Sequence, residues 1–164
     1  MLIRLKNKDT LKIDEFSFKC CIGKKGLKTK KVEGDLATPK GAYLLKKLYY
    51  RSDKFKKIET LIPKIRIKKN MGWCNDPNSK SYNRLIKYPI NSTFEKLFRK
   101  DNIYDVIMVL NYNMKPIIKN KGSAIFLHIS KKNYSSTEGC IAINKSHIKK
   151  LLTLISKSTK VKIV

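Results

Sequence analysis

Residues 122–143 read Gly122-Ser-Ala-Ile-Phe-Leu-His128, then a polar and basic segment at 129–136, then Thr137-Glu-Gly-Cys-Ile-Ala-Ile143. The first and last parts are apolar runs that are typical of buried strands. The segment between them can form a loop that returns the chain to an adjacent strand. That topology would place Cys140 beside His128, so this block predicts a β-rich core with a cysteine and a histidine at its edge.

The rest of the chain adds more strands and little helix. Residues 23–41 hold four glycines and predict loops and tight turns, whereas 51–92 predict a long ordered excursion across the sheet. One short helix is expected from a Thr93 cap to Lys100, and another after a Ser146 cap. Strands are predicted over 2–5, 11–22, 42–50, 104–111 and 161–164, with a turn at 7–9 between the first two.

Length and charge narrow the classes of protein. A chain of 164 residues without repeats or a low-complexity linker predicts one mainly-β domain over 1–164. No apolar stretch approaches the roughly 20 residues of a membrane span. The net charge of +26 invites a nucleic-acid-binding interpretation, but only five of the 38 basic residues are arginine, and the lysines are dispersed. A compositional lysine bias and a surface for an anionic partner both stay open.

The cysteines do not predict a metal site. Cys20, Cys21, Cys74 and Cys140 form no CxxC pair, and no following histidine pair completes a zinc motif. On a strand the adjacent Cys20 and Cys21 would face opposite sides, so they cannot easily form a disulfide with each other. We expect neither a metal nor a cofactor.

The cysteine and histidine of the first block can carry out chemistry. An imidazole beside a thiol produces a thiolate nucleophile. Gly139 has no β-carbon, so backbone amides near 137–140 could approach a reacting carbonyl as an oxyanion hole. The structural alternative is a buried Cys140 and a strand-end His128 with satisfied hydrogen bonds. The second histidine, His147, lies at a helix start and is expected to be structural.

These residues resemble the motif of the L,D-transpeptidase catalytic domain (YkuD-like) family, in which a histidine, a variable loop and Ser/Thr-x-Gly-Cys precede an aliphatic residue. Gly23-Lys-Lys-Gly26 and the segment 33–43 resemble that family's "GDxxTPxGxY" block. Residues 72–76 and 82–84 resemble a Trp-x-Asp and Tyr-Asn block of a bacterial subgroup. The similarity spans roughly 12–164 and implies a β-sandwich of mixed sheets with two or three short helices.

The sequence also departs from the family pattern. Many members have Ser-His-Gly-Cys followed by Ile or Val and then arginine, whereas this chain has Thr137, Glu138 and, in place of the arginine, Ala142. The nucleophile and the base survive this change. A cation for substrate binding would have to come from another residue, and Lys145 and Arg84 are candidates.

The resemblance implies a peptidoglycan L,D-transpeptidase that acts on stem peptides. The Cys140 thiolate would attack the L-centre carbonyl of diaminopimelate in a tetrapeptide stem, release D-alanine and pass the acyl group to an amine. His128 would move the protons, with its second ring nitrogen oriented by a backbone carbonyl at 129–130. An L,D-carboxypeptidase acting through the same acyl-enzyme stays open, and the alternative from another class is a basic nucleic-acid-binding module without catalysis.

Location and partners follow from the same reasoning. We expect a monomer in the periplasm or cell envelope that contacts no nucleic acid and can approach anionic wall or membrane surfaces. The N-terminus shows no standard export signal, so a cytoplasmic location stays open.

Asp35, Thr38 and Pro39 are interpreted as a fixed turn. The predicted catalytic residues are Cys140, His128, Gly139 and Thr137, and the candidates for a substrate groove, with a scaffold role as the alternative for most, are Trp73, Asp76, Tyr82, Asn83, Arg84 and Ser136.

Overall fold

The computed structural model describes residues 1–29 and 32–164, most of which lie in or between short strands. The strands and the helix are β1 (Leu2–Asn7), β2 (Thr10–Ile13), β3 (Phe16–Cys21), β4 (Leu27–Lys28), β5 (Thr38–Pro39), β6 (Gly41–Tyr50), β7 (Lys64–Arg66), β8 (Met71–Cys74), β9 (Leu85–Lys87), β10 (Phe94–Lys96), β11 (Val106–Leu110), β12 (Phe126–Ile129), β13 (Ile141–Ile143), α1 (Lys145–Leu154) and β14 (Lys160–Ile163). The fold is mainly β with mixed sheets, which confirms the fold class predicted from the sequence.

The largest sheet has nine strands in the order β11-β12-β13-β3-β2-β1-β14-β6-β7. The first residues of β6 pair with β14, and its later residues pair with β11. One long strand therefore joins two parts of the sheet, which returns on itself around a core. Strands β10, β8 and β9 form a separate three-stranded sheet.

The alternation of side chains along β12 divides the two cores. Leu127 and Ile129 point into the main core, where they meet the apolar face of α1 at Ile148 and Leu151. Phe126 points to the other face and joins the second hydrophobic cluster. His128 follows the same alternation, so β12 presents it on the face that does not carry α1.

The helix predicted from Thr93 to Lys100 is wrong, because Phe94–Lys96 forms strand β10 against β8. The apolar spacing of that segment suits a helix, but the Phe94 ring stacks on Tyr88 at 4.9 Å and the backbone is used in the strand pairing. Of the two or three short helices expected, α1 is the single one in the described residues.

Two boundaries also differ from the expectation. The cap of α1 is Asn144 rather than Ser146, since the Asn144 side chain accepts a hydrogen bond from the Ser146 amide at 2.9 Å. The strand predicted over 11–22 is two strands, because Asp14 has a φ of 48° and turns the chain between β2 and β3. Helix α1 is too short to meet the length and hydropathy of a membrane span, and no other helix lies in the described chain.

Candidate active site

A cavity of about 660 Å³ opens on the face of β12 and β13 that lies away from α1. Cys140, His128, Gly139 and Thr137 all line it, as does Ser136 from the substrate-groove prediction. Parallel pairing of β12 with β13 sets Leu127 beside Ile141 and His128 beside Ala142, so the cysteine just before β13 lies close to the histidine strand. The structure therefore brings together the residues for which the sequence predicts catalysis.

Backbone groups of the preceding strand segment surround the Cys140 sulfur. Sγ accepts a hydrogen bond from the Phe126 amide at 3.3 Å and donates one to the Ala124 carbonyl at 3.1 Å. The side chain is buried, with 8% of the residue surface exposed, yet it reaches the cavity. The nucleophile candidate is thus held in one place before any substrate binds.

His128 is positioned for a role as a base. Its Nδ1 lies 2.9 Å from the Ile129 carbonyl oxygen, which selects the tautomer with the proton on Nδ1 and leaves Nε2 as the acceptor. Tyr104 packs edge-to-face on the imidazole at 5.1 Å. Burial is the main cause that lowers the pKa of His128 to about 4, and the charge of Arg99 acts in the same direction, so the ring is neutral at pH 7.

Side-chain and backbone hydrogen bonds fix the loop 137–140. Thr137 Oγ1 donates to the Cys140 carbonyl at 2.6 Å and accepts from the Gly139 amide at 3.2 Å. Gly139 has a φ of 143°, a backbone conformation that residues other than glycine rarely adopt. The thiol and the amides of this loop are therefore arranged together on the cavity wall.

Thr38 also supports this loop, and it lies in strand β5 with Pro39 rather than in the fixed turn that the sequence predicts. Its hydroxyl donates to the Gly139 carbonyl at 2.9 Å and accepts from the Gly23 amide at 2.9 Å. In a planar trans peptide the N–H points opposite to the C=O, so this contact turns the Cys140 amide away from Thr38. The Gly23 turn is linked to the loop as well, because the Lys24 amide donates to the Thr137 carbonyl at 2.9 Å.

Trp73 and Asn83 lie beneath the site and do not line the cavity. The Trp73 indole N–H donates to Asn83 Oδ1 at 3.0 Å, and its ring packs against Phe126 at 5.2 Å. Asn83 Oδ1 also accepts from the Ala124 amide at 3.1 Å, and that residue's carbonyl contacts the Cys140 sulfur. These contacts match the scaffold alternative, in which the block 72–84 supports the segment that contacts Cys140.

The other three members of that block also lie outside the cavity lining. The Tyr82 hydroxyl accepts from the Gly122 amide at 2.9 Å and donates to Glu33 at 2.5 Å. Asp76 closes a local turn by accepting from the Asn78 amide at 2.9 Å. Arg84 is exposed to solvent.

Neither cation suggested as a replacement for the family's arginine reaches the cavity. Lys145 lies 3.8 Å from Asp105 and over the Phe55 ring, and Arg84 is not part of the lining. The described basic residues that do line the cavity are Lys96, Arg99 and Lys131.

Sequence reasoning missed Tyr104 and Glu95. The Tyr104 hydroxyl donates to the Glu95 carboxylate, and burial raises the pKa of Glu95 and of Tyr104. Tyr104 was visible only as the first residue of an apolar run, and Glu95 fell inside the segment predicted to be a helix. Neither position carries a motif that could have marked it.

The described residues contain no cluster of side chains that could hold a metal ion, and none of their four cysteines forms a disulfide. His147 lies outside the cavity lining, with its ring 5.1 Å from Phe18.

A buried thiol and a neutral, oriented imidazole on one wall of a cavity define a cysteine/histidine site on a β-rich fold. The family model of the L,D-transpeptidase catalytic domain, YkuD, matches residues 3–163. The chain therefore belongs to this family, which acts on peptidoglycan. No curated protein matches the chain at a significant level.

Proposed function

We propose that the protein is a peptidoglycan L,D-transpeptidase in which Cys140 is the nucleophile and His128 the general base. The observation that carries the proposal is the hydrogen bond between His128 Nδ1 and the Ile129 carbonyl, in a cavity that Cys140 also lines. This bond leaves Nε2 able to accept a proton. A neutral imidazole is the form that a base requires at pH 7.

The reaction begins when His128 Nε2 takes the Cys140 proton. The thiolate attacks the L-centre carbonyl of diaminopimelate in a tetrapeptide stem, and the amides of loop 137–140 stabilise the oxyanion. The tetrahedral intermediate breaks its C–N bond, and D-alanine leaves with the proton from the imidazolium. A thioester between Cys140 and the stem remains.

The second half regenerates the enzyme. An amine from another stem or from a free D-amino acid attacks the thioester while His128 accepts the amine proton. Cys140 then leaves as a thiol, and a new amide links the stem to the acceptor. If water takes the place of the amine, the same acyl-enzyme gives an L,D-carboxypeptidase product. We place this activity in the periplasm or cell envelope, where the family's substrate lies.

Product masses test the proposal. The protein is incubated with a disaccharide-tetrapeptide, alone and with a D-amino acid, and products are separated by mass. A cross-linked dimer or an exchanged stem supports transfer, whereas a tripeptide as the sole product would support hydrolysis instead. Cys140→Ala should abolish both, and His128→Gln should slow them by about 10²–10⁴-fold. Turnover that survives in Cys140→Ala would overturn the proposal.

A carbapenem-type acylating agent gives a second test that needs no peptidoglycan. Intact-protein mass spectrometry should show one adduct on the wild type and none on Cys140→Ala. Equal labelling of both proteins would place the reactive group elsewhere.

A further inference from the structure

Arg99 presents a guanidinium that is held in place at the cavity wall. Its carbonyl accepts a hydrogen bond at 2.7 Å from Nη1 of the buried Arg51, which anchors the backbone. Its Nε and Nη2 donate to the two carboxylate oxygens of Asp101 at 3.0 and 2.5 Å. The guanidinium carbon lies 5.2 Å from the centre of the Tyr104 ring, the same ring that packs on His128.

The remaining edge of this guanidinium is available to a ligand. The contacts with Asp101 use Nε and Nη2 of Arg99. Among the described residues, no acceptor takes a hydrogen bond from the third nitrogen, Nη1. The side chains of Arg99 and Asp101 are 34% and 39% exposed, so their pairing adds little stability in itself but does orient the arginine.

The two lysines of the lining are held less firmly. Lys96 is exposed, and its ammonium lies over the Tyr88 ring at 5.9 Å. Lys131 is exposed on the loop after β12. Ala142, which pairs with His128 across the strands, contributes no charge. Among the described residues, Arg99 is therefore the cation of the cavity that is fixed by a salt bridge and an aromatic ring.

The charge of Arg99 also reaches the reacting groups. It contributes to the lowering of the pKa of His128, and it opposes the rise that burial causes in the pKa of Glu95. Because Arg99 and His128 both contact the Tyr104 ring, an anion bound at Arg99 would lie on the same side of the cavity as the imidazole.

We propose that Arg99 binds the terminal carboxylate of the donor stem, which is the carboxylate of the departing D-alanine. This inference rests on the proposed function, because that reaction supplies a donor whose carboxylate lies one carbon beyond the scissile amide nitrogen. A guanidinium forms strong, directional hydrogen bonds with a carboxylate. Arg99 thus selects stems that end in a free carboxylate and sets the scissile carbonyl near Cys140.

Two donors test the pairing, one with the natural terminal carboxylate and one with a terminal carboxamide. In the wild type we expect kcat/KM for the carboxamide to be at least about tenfold lower. Arg99→Gln should lower the value for the acid donor about tenfold more than the value for the carboxamide, while Arg99→Lys should restore part of this difference. Arg66→Gln removes an exposed arginine outside the cavity and is the control for net charge.

Equal losses for the two donors in Arg99→Gln would overturn the proposal, because a purely structural role affects both. The proposal also fails if discrimination persists in Arg99→Gln, or if it appears only when the side-chain carboxylate of diaminopimelate is amidated instead.

Alkylation of Cys140 tests Arg99 even if peptidoglycan is not the substrate. Iodoacetate and iodoacetamide both form a C–S bond and release iodide, but only iodoacetate carries a carboxylate. The ratio of their rates at Cys140, measured on the isolated peptide because Cys21 also lines the cavity, should fall about threefold or more in Arg99→Gln and stay unchanged in Arg66→Gln.

The outcomes of the two experiments separate the proposals. A lowered alkylation ratio without any peptidoglycan turnover would support an anion site at Arg99 and contradict the proposed substrate. An unchanged ratio would contradict the anion site. Failure of both reagents to alkylate Cys140 would contradict its role as nucleophile and, with it, both proposals.

Discussion

At the scale of single residues, the environment of His128 decides its chemistry. In water a histidine is partly protonated near pH 6.5, but burial of His128 against the Tyr104 ring makes its charged form costly. The Ile129 carbonyl then selects which nitrogen keeps the proton. Burial and backbone hydrogen bonding therefore favour a neutral, oriented imidazole, which is the form that the proposed base requires.

Protonation of His128 should couple pH to stability. Since its pKa falls from 6.5 to about 4 on folding, the unfolded chain binds the proton more readily. The folded state keeps its full stability above pH 6.5 and loses up to about 3 kcal/mol as the pH falls towards 4. Urea unfolding at several pH values should show this loss in the wild type and a smaller one in His128→Gln. Parallel curves for the two proteins would exclude the coupling.

Thr38 offers a test of the hydrogen bonds that support the loop 137–140, which carries the proposed nucleophile. Thr38→Val keeps the shape but leaves the Gly23 amide and the Gly139 carbonyl without their partner. We expect a loss of about 1–3 kcal/mol in the free energy of unfolding. Alkylation of Cys140 by iodoacetamide should also change rate, because the loop 137–140 is no longer held.

The control for this substitution is Thr153→Val on the exposed side of α1, where the hydroxyl makes only a local contact with the Lys150 carbonyl. It should change stability little and leave the alkylation rate as in the wild type. A wild-type rate in Thr38→Val would show that the loop keeps its shape without the hydroxyl.

At the scale of elements, the sequence patterns identified the strands better than the long-range contacts that support the site. The alternation in β12 and the run in β11 were readable because both strands are buried, and the motif around Cys140 marked the loop that carries the thiol. Strand β10 could not be predicted from the sequence, because the spacing of Phe94, Leu97 and Phe98 suits a helix equally well. Only the pairing with β8 determines that this segment is a strand.

The supporting contacts could not be predicted for a related reason. Asn83, which accepts a hydrogen bond from Trp73, contacts Ala124 at a distance of 41 residues in the sequence, and Thr38 contacts Gly139 at a distance of 101 residues. Local spacing carries no information on such contacts. Family resemblance marked some of these positions, but it did not distinguish a residue that touches substrate from one that holds the backbone.

Gly72 tests the packing between strands β8 and β10. A β-carbon at this position would lie 2.6 Å from Phe94 Cδ2 and 2.9 Å from Ile86 Cδ1, so Gly72→Ala must displace these two side chains. Overpacking of this kind costs about 1–3 kcal/mol. Urea unfolding should show this loss. Turnover should fall as well, because β10 holds the Glu95 side chain in its hydrogen bond with Tyr104.

Gly34→Ala is the matched control for this change. Nothing lies within 4 Å of a β-carbon at Gly34, so that substitution adds only the backbone strain of a φ of 74°. If Gly72→Ala were no less stable than Gly34→Ala, the close contact between β8 and β10 would be refuted.

At the scale of the whole molecule, the net charge of +26 is spread over the fold. Exposed lysines occur on β2, β6, β14 and α1, for example at Lys12, Lys46, Lys162 and Lys149. This distribution fits a compositional bias better than a single basic face. At the proposed site we expect one arginine, which Asp101 holds in place, to contribute more to substrate selectivity than the dispersed lysines.

Such a surface should make folding sensitive to salt. The described residues form four ion pairs, and three of them join residues only two positions apart, as in Arg51–Asp53. Repulsion among the excess cations therefore outweighs attraction, and salt screens both over about 10 Å at 0.1 M. The melting temperature should rise between about 20 mM and about 300 mM NaCl, by about 2–4 °C for each kcal/mol of repulsion relieved. A fall over this range would mean that ion pairs stabilise the fold more than its net charge weakens it.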